Sequence, residues 1–181
     1  MTARQALREA TAAAHEEVDR IFSAFDLADP ADYRRFLLAQ AAAFLPVEAA
    51  LDSAGAGNIL PDWSERRRGH LLRNDLDRLA LSAPAPLPAP AFASPEALLG
   101  GVYVLEGSRL GGALLSREVP TDAPKTFLSA KGDSARWRKL LEDLERLLYR
   151  SDRVPSALEA ATQVFACFAA AGRRQLETVC P

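Results

Sequence analysis

The chain has 181 residues, 49% hydrophobic and 25% charged, with a formal net charge of −2. That length suits one domain with a single core, and the near-neutral balance disfavours nucleic acid or an anionic membrane as a partner. The two cysteines, Cys167 and Cys180, fit a reducing compartment and form no metal-ligand cluster. Arg4, Arg8, Glu9, His15 and Glu16 interrupt any apolar start, which argues against a signal peptide. No apolar run reaches about 18 residues, so no membrane span is predicted and the expected location is cytoplasmic.

Thr2 caps a first predicted helix that runs to about Phe22. Leu7, Thr11, Ala14, His15, Val18 and Phe22 follow the three-and-four spacing of one apolar stripe, which predicts that His15 points inward. Arg8 points almost the same way, about 10 Å further back along the axis. Asp29-Pro30 opens a second helix towards Ser53, with Tyr33, Phe36, Leu37, Gln40, Phe44, Val47 and Leu51 inside and Pro46 as an internal kink. After Gly55 to Asn58, Pro61 opens a third helix with Leu71, Leu72, Leu76 and Leu79 inside. Around it Arg66, Arg67, Arg68, Arg73, Asp75 and Asp77 read as a solvated face or salt-bridge partners, and His70 as exposed.

Residues 82–90 hold four prolines and predict a stiff, extended connector. Ser94-Pro95-Glu96 starts a long apolar helix by cap, N1 proline and acidic first turn, running towards Val119 with Leu98, Leu99, Val102, Leu105, Leu110, Leu114 and Leu115 buried. Pro120 to Gly132 is an irregular link. Asp133 then caps a helix to about Arg150, with Trp137, Leu140, Leu141, Leu144, Leu147 and Leu148 inside. Pro155 opens the last helix around Leu158, Ala161, Val164, Phe165, Phe168 and Ala169. No stretch alternates as a half-buried strand does, so residues 1–181 are expected to form one all-α, single-layer bundle.

The long apolar helix carries Gly100, Gly101, Gly107, Gly111 and Gly112. Each glycine in a helix interior costs about 0.8–1.0 kcal/mol relative to alanine. Gly107 and Gly111 are four apart, on one face. Bare backbone there allows the helix to bend and lets something flat or large approach closely. Tight helix–helix packing is the other reading, and both stay open at this point.

Few inward polar groups could do chemistry. His15 is either a hydrogen-bonded core residue or a ligand, and one histidine with two distant cysteines cannot build a zinc site. No Glu-x-x-His pair supports a di-iron bundle. Ser108 lacks a nucleophile elbow, and the glycines match neither a P-loop nor a dinucleotide fingerprint. Haem needs only one protein ligand. A histidine helix and a glycine-kinked helix could wall a flat slot, with Arg8 placed for the propionates.

Two segments carry a family resemblance. Leu7-Arg8-Glu9-Ala10-Thr11-Ala12-Ala13-Ala14-His15 resembles the proximal-helix signature of haem oxygenases, and Tyr103-Val104-Leu105-Glu106-Gly107-Ser108-Arg109-Leu110-Gly111-Gly112 resembles the distal-helix signature of their bacterial branch. The two signatures lie about ninety residues apart, in the family's order. Tyr33 to Gln40, Leu72 to Leu79, Arg136-Trp137 and Val164 to Phe168 are similar to other helices of that branch.

The resemblance implies a haem-oxygenase-like bundle with a glycine-kinked distal helix. It implies O2- and electron-dependent cleavage of haem to biliverdin, CO and ferrous iron. His15 would be the proximal iron ligand, and Gly107 and Gly111 the distal backbone over the haem, with Ser108 and Gly112 beside them. Arg8 matches a propionate-contacting position; Arg138 and Tyr103 are further cofactor-binding candidates. Electrons would come from an external ferredoxin or reductase, and a biliverdin-using phytochrome is a candidate recipient of the product. The animal branch carries an acid directly after the first distal glycine, where this chain has Ser108; Glu106 is expected to point elsewhere. A non-catalytic haem- or tetrapyrrole-binding protein of the same fold is the alternative reading, and a purely structural or partner-binding helical protein is a third.

Overall fold

The structure is a computed structural model that describes residues 2–130, 132, 134–148 and 152–178. The described residues form eight helices and no strand: α1 (Ala3–Phe22), α2 (Pro30–Ser53), α3 (Ala56–Ile59), α4 (Trp63–Arg66), α5 (Gly69–Arg78), α6 (Pro95–Leu115), α7 (Ser134–Leu147) and α8 (Val154–Glu177). Asp133, Arg150 and Cys180, named above, lie outside the described residues.

The helix starts follow the capping residues. The Thr2 hydroxyl accepts from the Gln5 backbone N–H, and the Gln5 side chain accepts from the Thr2 N–H, closing a capping box on α1. Glu145 of α7 adds a second cap, accepting from the Ala3 and Arg4 N–H groups at 2.9 Å each. Asp29 caps α2 through Ala31 and Asp32, and Ser94 caps α6 through Ala97.

Pro46 stands inside an unbroken α2. Having no N–H, it leaves the Ala42 carbonyl four residues earlier without its helical donor. The Leu87 N–H of the proline-rich connector supplies that donor at 2.9 Å, so the proline inside α2 creates the docking point for the connector.

The helix expected from Pro61 to Leu79 is interrupted. It appears as α4 and α5, with Arg67 extended between them. Glu48 of α2 accepts from the backbone N–H of Arg68 at 2.7 Å and of Gly69 at 3.0 Å, and that carboxylate takes the place of a helical turn. The charged residues around α5, expected as a solvated face or as salt-bridge partners, divide between the two, and Arg66 pairs with Asp62 and Glu106. Arg66 and Arg68 are buried, and Asp75 is 0% exposed. Asp75 accepts from the Thr126 N–H and hydroxyl and from the Phe127 N–H, tying the loop before α7 to α5. Arg67 and His70 remain exposed.

α8 is the central post, with α1, α2 and α6 packed against it. Two glycines allow the closest crossings. A Cβ on Gly100 of α6 would come within 2.1 Å of the Ala157 carbonyl oxygen of α8, and one on Gly172 of α8 within 2.6 Å of Ile21 of α1. α2 and α8 are each long and apolar enough to cross a membrane by length and composition. Yet 56% and 50% of their apolar windows are buried inside the bundle, where those apolar faces form its core.

Candidate functional site

The five glycines of α6 divide into two groups. A Cβ on Gly100 would strike Ala157, one on Gly101 would lie 2.5 Å from the Phe92 ring, and one on Gly112 3.3 Å from the Leu128 carbonyl oxygen. Around Gly107 and Gly111 a Cβ would meet nothing within 4 Å. Tight packing is therefore true of Gly100, Gly101 and Gly112, and an open floor is true of Gly107 and Gly111. Gly112, expected beside the floor, instead packs against the segment before α7. The helix runs unbroken through all five, none of which has positive φ, so the floor is made by the missing side chains.

The same face continues in both directions. Tyr103, one turn before Gly107, is half-buried and stacks on Trp137 of α7 with ring centroids 5.8 Å apart. Burial raises its phenol above the usual value, while Arg4 and Arg8 of α1 work against that rise. The start of the glycine face therefore lies within electrostatic reach of two α1 cations. Arg8 is exposed and makes no ion pair among the described residues. Arg138 of α7 is exposed beside Trp137. Leu110 and Leu114, expected in the core, are 49% and 63% exposed, because no described element covers this side of α6.

His15 is placed differently from the inward expectation. Its side chain is 60% exposed. The α1 stripe is wider than the surface α8 covers: Leu7, Thr11, Ile21 and Phe22 are buried, while Ala14 and Val18 are only partly so. The imidazole rests edge-on against Phe165 of α8, centroids 5.6 Å apart, and its Nδ1 lies 2.9 Å from the Asp19 carboxylate one turn on. With Nδ1 beside a carboxylate, Nε2 is the ring nitrogen left for a ligand. The core-residue reading of His15 is thereby overturned. Asp19 was missed in the sequence, although its i+4 spacing from His15 was visible there.

Behind the floor lies a buried polar network that composition gave no sign of. Arg68 is sandwiched between the rings of Phe44 and Phe127, its guanidinium carbon 5.0 Å from each centroid. It donates to the Leu105 carbonyl at 2.6 Å and to the Ser108 hydroxyl at 2.7 Å. Burial draws this guanidinium down to about 9; Arg109 adds to the fall, and Glu106 and Glu48 oppose it. Ser108 in turn donates to the Leu105 carbonyl at 2.7 Å. Glu106 points away from the floor, as expected, and pairs with Arg66 at 3.2 Å and Arg109 at 2.9 Å. The available signal was the charge of Glu48 and Glu106 inside apolar helices, since buried carboxylates need partners.

The chemistry of these residues narrows the kind of ligand they could hold. Among the described residues no group of three or more His, Cys, Asp and Glu side chains could hold a bare metal ion. One imidazole with a free Nε2, a side-chain-free floor and two cations fit an iron macrocycle that brings its own equatorial ligands and acidic edge.

No family model matches the sequence. A heme oxygenase from Xanthomonas campestris pv. campestris (strain 8004) is 36% identical over 112 residues, covering 59% of this chain and 67% of the relative. The heme oxygenase of Neisseria meningitidis, solved in its NO- and CO-bound forms, has the same fold with a TM-score of 0.82. The match covers 98% of this chain and 93% of that one, at 22% identity. With the helical fold and two-thirds of a relative's sequence matched, the chain belongs to the haem oxygenase family, and it is an enzyme that degrades haem.

Proposed function

We propose that one domain, residues 1–181, cleaves haem to biliverdin, CO and ferrous iron in a slot walled by α1 and α6. The observation that carries this reading is the open space at Gly107 and Gly111, while the packed glycines of the same helix touch its neighbours. Bound haem supplies the iron that activates O2 and the meso carbon that is oxidised. The chain holds and orients it. His15 offers Nε2 to the iron, and Asp19 fixes the ring's tautomer and direction. Gly107 and Gly111 let helix backbone lie against the macrocycle. Arg8 and Tyr103 take the propionates, with Arg138 a second cation at that end.

Ser108 is spoken for. Its proton goes to Leu105 and one lone pair to Arg68, so it has no proton to donate into the slot. Backbone groups of α6 organise water on the distal side instead. Electrons and O2 come from outside, because no flavin or iron–sulfur motif is present in the sequence. A ferredoxin or reductase is the electron donor, and a phytochrome is a candidate recipient of the biliverdin. A reducing, cytoplasmic setting suits the sequence.

Purified protein given hemin is expected to develop a Soret band that His15→Ala loses or shifts. With ascorbate or a reductase under O2, that band should give way to biliverdin absorbance. An unaltered Soret band in His15→Ala would remove His15 from the iron. Binding without any pigment change would leave a carrier.

A further inference from the structure

We propose that Leu110 and Leu114 determine the specificity of the reaction: they form the apolar end of the haem seat and decide which meso edge lies over the bare glycines. The inference rests on the placement of haem against α6 proposed above. Among the described residues these are the large hydrophobic side chains that stand exposed, at 49% and 63%. Scattered exposed leucines are ordinary; two that adjoin a side-chain-free floor make a continuous apolar surface.

The helical period places them. Leu114 is seven residues after Gly107 and three after Gly111, on the same face. Leu110, three after Gly107, flanks it and lies against Gly132, 3.5 Å from where that residue's Cβ would be. At the other end stands Tyr103, within reach of Arg4 and Arg8. Over about 16 Å of helix, the face therefore runs from a phenol with two cations, across bare backbone, to two isobutyl groups. Haem has the same polarity, with both propionates on one edge and methyl and vinyl groups elsewhere. Matched ends bury apolar substituents on the leucines and leave the carboxylates by the arginines. A turned macrocycle would press carboxylates on Leu110 and Leu114 and strip them of water without a partner. The attractive and repulsive contributions select the same orientation.

The test uses Leu110→Ala, Leu114→Ala, the double variant and Leu114→Lys. Both side chains are exposed, so the fold should be unaffected; circular dichroism checks this. Two measurements read orientation: the isomer composition of the biliverdin released, by chromatography, and the shifted haem-methyl resonances of the resting hemin complex, which need no turnover. The native chain should give one predominant isomer and one set of methyl resonances. The double alanine variant should move the ratio of orientations by about tenfold. Leu114→Lys should move it further, since an ammonium at the apolar end competes for the propionates. Hemin bound with the same resonances and isomers in every variant would overturn this inference and leave the site reading standing. A native chain that takes up no hemin, or a His15→Ala variant with an unaltered Soret band, would overturn the site reading and this inference with it.

Discussion

At the scale of single residues, Gly100 and Gly111 show how one residue type on one helix serves two ends. At Gly100 the missing side chain lets α8 backbone pass, and a methyl would sit 2.1 Å from the Ala157 oxygen. Gly100→Ala is therefore expected to destabilise the chain by about 2–3 kcal/mol, the usual cost of overpacking. At Gly111 a methyl meets nothing, and Gly111→Ala should add up to about 1 kcal/mol of helix propensity. Turnover should fall in the opposite order of stability, with Gly111→Ala and more so Gly111→Leu slowed while urea unfolding shows them intact. Comparable losses of stability at both positions would mean that the second glycine also serves packing. The four-residue spacing of Gly107 and Gly111 was legible in the sequence. The difference between them and Gly112 was not, because it depends on Leu128, which reaches α6 only through the fold. His15 was expected to point inward, and its direction was misjudged. An apolar stripe marks a face shielded from water by core or by ligand alike, and spacing alone does not tell the two apart.

Among the elements, the starts of helices were the most legible feature, since Thr2, Asp29 and Ser94 cap through local contacts. The arginine-rich segment was the least. Which of the two readings, solvated or paired, holds for Arg66 and Arg68 was hidden because acceptors of their guanidinium groups, Glu106 for Arg66 and the Leu105 carbonyl and Ser108 hydroxyl for Arg68, lie on α6, remote in sequence. The same blindness hid the cap that α7 provides to α1. Burial alone would raise the Glu145 carboxyl, but backbone N–H donors from Arg4 and Ala3 and the Thr2 contact outweigh it, and its pKa falls below 4.5. A carboxyl with a lowered folded-state pKa binds fewer protons folded than unfolded, so its contribution is complete above about 4.5 and fades as pH falls through the lower folded value. The Ala3 and Arg4 amide resonances should therefore titrate together with a midpoint under 4.5, and Glu145→Gln should abolish that titration. A midpoint at or above 4.5 would show that the carboxylate does not hold the helix end that presents Arg4 and Arg8.

For the molecule as a whole, the architecture makes one helix answerable for both α1 and α6, the proposed walls of the slot. α1 leans on α8 at Gly172, and α6 leans on it at Gly100; neither wall takes the other as its main neighbour. The helix content and the inward residues of α8 were legible, whereas this sharing was not, because it follows from close approaches between residues about sixty to a hundred and fifty apart in the chain. A ligand that touches His15 on one wall and Gly107 and Gly111 on the other would join α1 to α6 directly, beside the links through α7 and α8. Unfolding should be one cooperative transition, as expected of a single core. Hemin at about 100 times its Kd should raise the stability by about 2.7 kcal/mol, or roughly 5–10 °C for a chain of this length. At the same hemin concentration His15→Ala should lose most of that shift, since losing the iron ligand raises the Kd. Calorimetry with and without hemin reads all of this. Two separate transitions would split the proposed domain. An equal hemin shift in the native and His15→Ala proteins would mean that the ligand does not join α1 to α6, and that the slot lies somewhere else on the bundle.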